Sequence, residues 1–159
     1  VGITKVTTVD HDEVRVAIAD GAKLAALVLA EEFIAGRELT ASILGDTALP
    51  LIRIEAPGGN YDYEHKYFSD ETKYNCPAGL PDAVEHAIRA ASLQAFRLLG
   101  ASGWGRLDLI LRADGTWSFL ELNTSPGMTG HSLVPMAARA AGMSYADLCV
   151  EILKGAHVG

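Results

Sequence analysis

Trp104-Gly105-Arg106-Leu107-Asp108-Leu109-Ile110-Leu111-Arg112, then Ala113-Asp114-Gly115-Thr116, then Trp117-Ser118-Phe119-Leu120-Glu121-Leu122-Asn123, is written as two alternating strands around an Asp-Gly turn. Read as a four-residue loop, the turn pairs Arg112 with Trp117. Counting back by twos, Ile110 then faces Phe119, Asp108 faces Glu121 and Arg106 faces Asn123, all on one surface of the hairpin. Residues directly across a ladder have Cβ atoms about 5 Å apart, and two carboxylates at that distance repel unless a proton or a cation lies between them. Two carboxylates with an amide oxygen form a hard-donor set suited to Mg²⁺, which keeps waters and shares its shell with phosphates. The same side chains also suit a solvated sheet face on which Arg106 bridges the two acids.

Downstream, Asn123-Thr124-Ser125-Pro126-Gly127-Met128-Thr129-Gly130-His131-Ser132 is a loop of small residues running into a helical pattern over 133–141, with Ser132 placed as its cap. Such an entrance binds anions through free backbone N–H groups and the positive end of the helix dipole. Upstream, 82–99 reads as a helix with Val84, Ile88, Ala91, Ala95 and Leu98 on one face, stopped by Gly100. Three strands precede it: the apolar run 25–33, then 37–44 and 49–54 as a hairpin around Gly45-Asp46. A first helix spans 10–24, with Asp10 and Glu13 at capping-box-like spacing, and a last one runs over 145–153 behind Ser144 and Asp147. Between 57 and 81 periodicity disappears, and that segment holds Tyr61, Tyr63, Tyr67 and Lys66, as functional loops of this length often do. The expected class is α+β, an antiparallel sheet with helices covering one side.

With 159 residues, 49% hydrophobic and 21% charged, the chain can bury a core. A net charge of −7 without a basic stripe argues against nucleic acid as a partner. Cys76 and Cys149 show neither zinc nor redox spacing and read as free thiols of a reducing compartment. No apolar run reaches the roughly 20 residues that span a bilayer, so no membrane is expected and the cytoplasm is the expected location. The start, Val1-Gly2-Ile3-Thr4-Lys5, reads as mid-element, which points to a piece of a longer protein.

Four stretches in order resemble the D-alanine–D-alanine ligase family of the ATP-grasp superfamily. They are Tyr61-Asp62-Tyr63-Glu64-His65-Lys66-Tyr67 with Cys76-Pro77-Ala78-Gly79-Leu80, Gly103 to Asp108, Glu121 to Thr129, and His131-Ser132-Leu133-Val134-Pro135. The resemblance implies an enzyme that phosphorylates one D-alanine carboxylate with ATP and captures the acyl phosphate with the amine of a second, for peptidoglycan. It implies Mg²⁺, with Mn²⁺ as a substitute, held by Asp108, Glu121 and Asn123; Arg106, Lys66 and Tyr67 would act at the transferred phosphate and the first D-alanine. Glu31, Glu32, Phe33, Ile34 and Leu120 would meet the adenine, Glu38 the ribose, and Gly127, Ser132 and Leu133 the carboxylate of the second D-alanine. Asn60 departs from the pattern, standing where relatives often set an aromatic against adenine.

The implied organisation is the C-terminal part of a multidomain, homodimeric enzyme. Residues 1–56 would finish a central subdomain, and 57–159 would form the C-terminal one, with lid 57–81, metal hairpin 104–123 and acceptor entrance 127–133. Because the domain expected to contact the first D-alanine would lie upstream, these 159 residues alone are expected to be inactive. Tyr67 favours an amine acceptor, while the hairpin alone leaves D-lactate, D-serine or a non-catalytic nucleotide-binding fragment as alternatives.

Overall fold

A single strand organises the sheet. In the computed structural model, which describes residues 9–24, 27–55 and 72–156, β1 (Arg37–Leu44) pairs antiparallel with β2 (Thr47–Ala48), with β3 (Ile52–Glu55) and along its whole length with β5 (Trp104–Leu111). β4 (Lys73–Asn75) joins the far side of β3 and β6 (Trp117–Asn123) the far side of β5, giving the order β4-β3-β1-β5-β6. Strand alternation divides the side chains between two faces. Leu39, Ala41, Ile43, Leu107, Leu109 and Leu111 bury against Ile88 and Phe96 of α2 (Asp82–Leu98). On the other face Ile52 and Leu44 meet α3 (Leu133–Ala140) and α4 (Tyr145–Lys154) through Val134, Ala137 and Leu148. The class is α+β as expected, but the helices divide between the two faces rather than sharing one.

Two compact units make up the chain, the larger comprising Gly36–Glu55 and Lys73–Gly159. β1 and β3 lie in the same sheet as the hairpin, joined to it by a pairing across sixty or more residues that no local pattern reveals. The smaller unit holds a 3₁₀ turn (His11–Glu13) and α1 (Val14–Gly21). Asp10 precedes the turn without a side-chain cap bond, so the capping box expected with Glu13 does not form. Nor does the strand expected over 25–33: its described part, 27–33, carries no ladder, with Leu27 and Leu29 exposed. An apolar run becomes a strand only where a partner's N–H and C=O groups meet it.

α2 buries a line at four-residue spacing, Ile88, Ser92 and Phe96, whereas Leu98, expected on that face, is 78% exposed. Ser92 tolerates burial because its hydroxyl donates to the Ile88 carbonyl at 2.8 Å, and a polar letter hid it from the apolar count. The helix also completes the sheet's broken stretch: Arg89 Nε donates to the Ala48 carbonyl at 2.9 Å, and Glu85 accepts from Leu51 N–H at 3.3 Å. Gly105 is demanded by packing, since a Cβ there would stand 2.8 Å from the Phe96 ring and 3.0 Å from the Asn123 carbonyl.

The deciding hairpin differs from its sequence reading in two compensating ways. Its turn is one residue shorter, with Arg112 N–H donating to the Thr116 carbonyl at 2.8 Å and Gly115 at φ +86°. A bulge then adds one residue on β6: Asp108 pairs with Glu121, but Leu109 pairs with Phe119, leaving Leu120 unopposed. Ile110 thus faces Ser118 and Leu111 faces Trp117, while Arg106–Asn123 and Asp108–Glu121 keep the expected register.

Candidate active site

Asp108 stands at the centre of the sheet face that α3 and α4 partly cover. Its ladder neighbours are Thr40 on β1 and Glu121 on β6, and Arg106 and Asn123 form the adjacent pair. Arg106 lies two residues before Asp108 on the same face, so its fork reaches forward along the strand. Nε donates to Oδ1 at 2.8 Å and Nη2 to Oδ2 at 2.7 Å. The pair is largely buried, with side-chain exposures of 15% and 7%. A bidentate pair of this kind is among the stronger charge-assisted contacts. From β6 the Asn123 amide nitrogen donates to Asp108 Oδ2 at 3.2 Å and to Glu121 Oε1 at 3.1 Å.

The two acids therefore converge on one point, now held by a polar N–H₂ group. Arg106 offsets one of the two charges, and Glu121 stays exposed at the mouth. Among the described residues no three His, Cys, Asp or Glu side chains gather to hold a metal. A hard cation here would draw on two carboxylates and an amide and complete its shell from water or phosphate, which is how Mg²⁺ is commonly held. The donor set thus fits that ion, and the amide's nitrogen and oxygen ends have nearly the same shape.

The chain leaves β6 at Asn123 and passes through a loop pinned by buried Pro126 to the start of α3. Ser132 occupies the N-cap position with extended backbone, yet its hydroxyl caps no amide of the helix, contrary to expectation. It turns back instead, accepting from Thr129 N–H at 2.9 Å and lying 2.8 Å from the Thr129 hydroxyl. Gly127 lies against it, since a Cβ there would come within 3.0 Å of Ser132 Oγ. The first amides of α3 receive no side-chain cap from Ser132, and they adjoin a hydroxyl, as an anion-binding entrance requires.

Of the other expected residues, Glu38 lies on β1 two positions from Thr40, hence on the Asp108 face, and it is half-buried. Tyr74 follows on the same face through Ile54; partial burial, and then the Glu38 charge, raise its phenol pKa. Leu120, at the bulge, is 52% exposed. Glu31, Glu32, Phe33 and Ile34 belong to the smaller unit, the first three exposed and Ile34 half-buried in an irregular stretch. Lys66, Tyr67 and residues 57–71 of the expected lid lie outside the described residues. The sequence reading missed Thr40 and Tyr145. Thr40 looks like any strand threonine, and Tyr145, which donates to the Met128 carbonyl at 2.6 Å, sits 17 residues away behind a capping box that says nothing of its side chain.

An antiparallel α+β sheet whose face carries two converging acids, an arginine fork and a loop leading to a helix start is the design of an ATP-grasp ligase domain. The family model described as D-ala D-ala ligase C-terminus matches residues 1–154, and the chain belongs to that family. It is 59% identical to the D-alanine–D-alanine ligase of Azoarcus sp. BH72, over 99% of this chain and 51% of the relative. It is likewise 59% identical to that of Bordetella petrii, over 98% of this chain and 48% of the relative. The chain thus spans about half the length of the curated relatives it matches. Among solved structures, the Bacillus anthracis D-alanine–D-alanine ligase complexed with ATP aligns at TM-score 0.77 and 32% identity, over 93% of this chain and 48% of that one. The VanG D-Ala:D-Ser ligase of Enterococcus faecalis aligns at 0.76 and 28%, over 92% and 43%.

Proposed function

We propose that this chain supplies the metal site, part of the nucleotide cleft and the acceptor pocket of an ATP-dependent D-alanine–D-alanine ligase. The enzyme would act in the cytoplasm as a homodimer and serve peptidoglycan synthesis. One observation carries the reading: Asp108 and Glu121 face each other, bridged by Asn123, with Arg106 paired to Asp108, at the strand end that leads to the α3 entrance. Asp108, Glu121 and Asn123 would hold Mg²⁺ or Mn²⁺, which when bound would supply positive charge to offset that of the ATP phosphates; the carboxylate oxygen of the first D-alanine would attack the γ-phosphorus with ADP as the leaving group. Arg106, permanently charged and planar, would hold the transferring phosphate and then the tetrahedral oxyanion formed when the second D-alanine's amine attacks the acyl carbon. Lys66 would reach the same phosphate and Tyr67 the first D-alanine.

Gly127, Ser132 and the Leu133 amide would hold the second D-alanine by its carboxylate, keeping its amine aimed at the acyl carbon. Leu120 and the stretch Glu31, Glu32, Phe33 and Ile34 would meet adenine, and Glu38 the ribose. In the full-length protein, Asn123→Ala and Glu121→Gln are each expected to lower metal-dependent phosphate release at least about 100-fold; undiminished release in either variant would refute the metal assignment.

A second reading, a D-serine acceptor, draws support from the D-Ala:D-Ser ligase that aligns nearly as well as the D-alanine–D-alanine ligase. ADP release measured with each acceptor in turn separates the two: D-alanine should be strongly preferred.

A further inference from the structure

The loop that carries Gly127 and Ser132 is tied to α4 by an interaction outside every motif above. Tyr145, the first residue of α4, donates its hydroxyl to the Met128 carbonyl at 2.6 Å. That carbonyl and the Thr129 N–H are the two ends of one peptide plane, so fixing one end aims the other. The Thr129 N–H in turn donates to Ser132 Oγ at 2.9 Å. A serine oxygen that already accepts has its own proton left to give, here to the Thr129 hydroxyl 2.8 Å away or to a ligand acceptor. The phenol itself is well placed. Ser144 and Asp147 form a capping box that sets the first turn of α4, and the Met128 side chain packs on the cluster built by Val134, Ala137 and Leu148.

We propose that Tyr145 is a positioning residue of the acceptor pocket: through the Met128–Thr129 peptide it orients the Ser132 hydroxyl so that its proton faces the carboxylate of the incoming amine substrate. The inference rests on the acceptor-pocket reading of Ser132. Hydrogen bonds in series polarise one another, so losing the first weakens the last. Tyr145→Phe keeps the ring and removes only the hydroxyl.

In the full-length enzyme, Tyr145→Phe should raise the acceptor D-alanine KM about fivefold, the worth of one hydrogen bond, with kcat and the ATP KM unchanged. The decisive measurement is a double-mutant cycle. In a Ser132→Ala background, where no hydroxyl remains to orient, Tyr145→Phe should add nothing to the acceptor KM. An unchanged KM in Tyr145→Phe, or full additivity with Ser132→Ala, would overturn the inference while leaving the pocket intact. Ser132→Ala with an unaltered acceptor KM would instead overturn the pocket reading and the inference with it.

Discussion

At the scale of single residues, Asp108 shows why a buried acid in a strand signals chemistry rather than packing. Its carboxylate takes two bonds from Arg106 and one from Asn123, so it is held in place without being committed to a single partner. Arg106→Ala would leave that anion buried and uncompensated, a loss of about 3 kcal/mol that urea unfolding would read. Arg106→Lys should recover part of the stability and little of the activity, since one ammonium cannot reproduce the two-pronged geometry. Glu121→Gln should preserve the fold, because Glu121 is exposed, and cost at least about 100-fold in metal-dependent turnover, as partners even outside the coordination shell are worth about 10–100-fold.

Cys76 gives a pH prediction. Burial first, and then the charge of Glu85, push its thiol up to about 11. A group whose folded pKa exceeds the unfolded one holds its proton more tightly when folded, so its contribution is complete below about 9 and lost as pH rises toward 11. At pH 8 its alkylation should be far slower than that of a free thiol, measurable by timed labelling and mass spectrometry.

The hairpin carries the main lesson at the scale of elements. A turn shortened by one residue would swing every later side chain of β6 to the opposite face, and the bulge at Leu120 reverses that swing before Glu121 is reached. Both deviations sit on the side of the acid pair nearer the turn, which is why the pairing that matters was legible although the loop length was not. Deleting Leu120 is therefore expected to leave Asp108 opposite Glu121 in a regular ladder, with stability changed by no more than about 1 kcal/mol. If Leu120 meets the adenine, the deletion should raise the ATP KM about tenfold, the worth of one buried leucine, and steady-state kinetics on the full-length enzyme would show it. In α4 the capping box is complete, Ser144 accepting from Asp147 N–H at 3.2 Å while Asp147 accepts from Ser144 N–H at 3.3 Å, so Ser144→Ala should cost about 1 kcal/mol in thermal or urea unfolding. The start of α3 is the opposite case. Its cap serine turns away, and Ser132→Ala should cost less stability than Ser144→Ala while costing acceptor affinity.

At the scale of the molecule, one sheet face is given to packing and the other is shared between packing and the site. α2 covers the first face over β1 and β5 and leaves Phe119 at its β6 edge exposed; α3 and α4 cover the β1–β3 side of the second and leave the β5–β6 side to Arg106, Asp108, Glu121 and Asn123. Chelation of divalent ions should abolish phosphate release by the full-length enzyme, and Mg²⁺ or Mn²⁺ should restore it. Ca²⁺, larger and looser in its coordination, should not. Ca²⁺ bound as well as Mg²⁺, with no dependence on D-alanine, would instead favour a passive ion-binding module.

Local chemistry was sufficient to identify the hairpin, the acid pair, the limits of α2 and the capped start of α4, because turn residues, two-residue alternation and capping spacing act within a few residues of one another. The partners of those elements were not legible. That β1 lies beside β5, that helices take both faces, that Ser92 rather than Leu98 is buried, and that Tyr145 reaches the Met128 carbonyl all depend on contacts between distant parts of the chain, where packing and hydrogen-bond satisfaction choose among arrangements that local preference leaves equal.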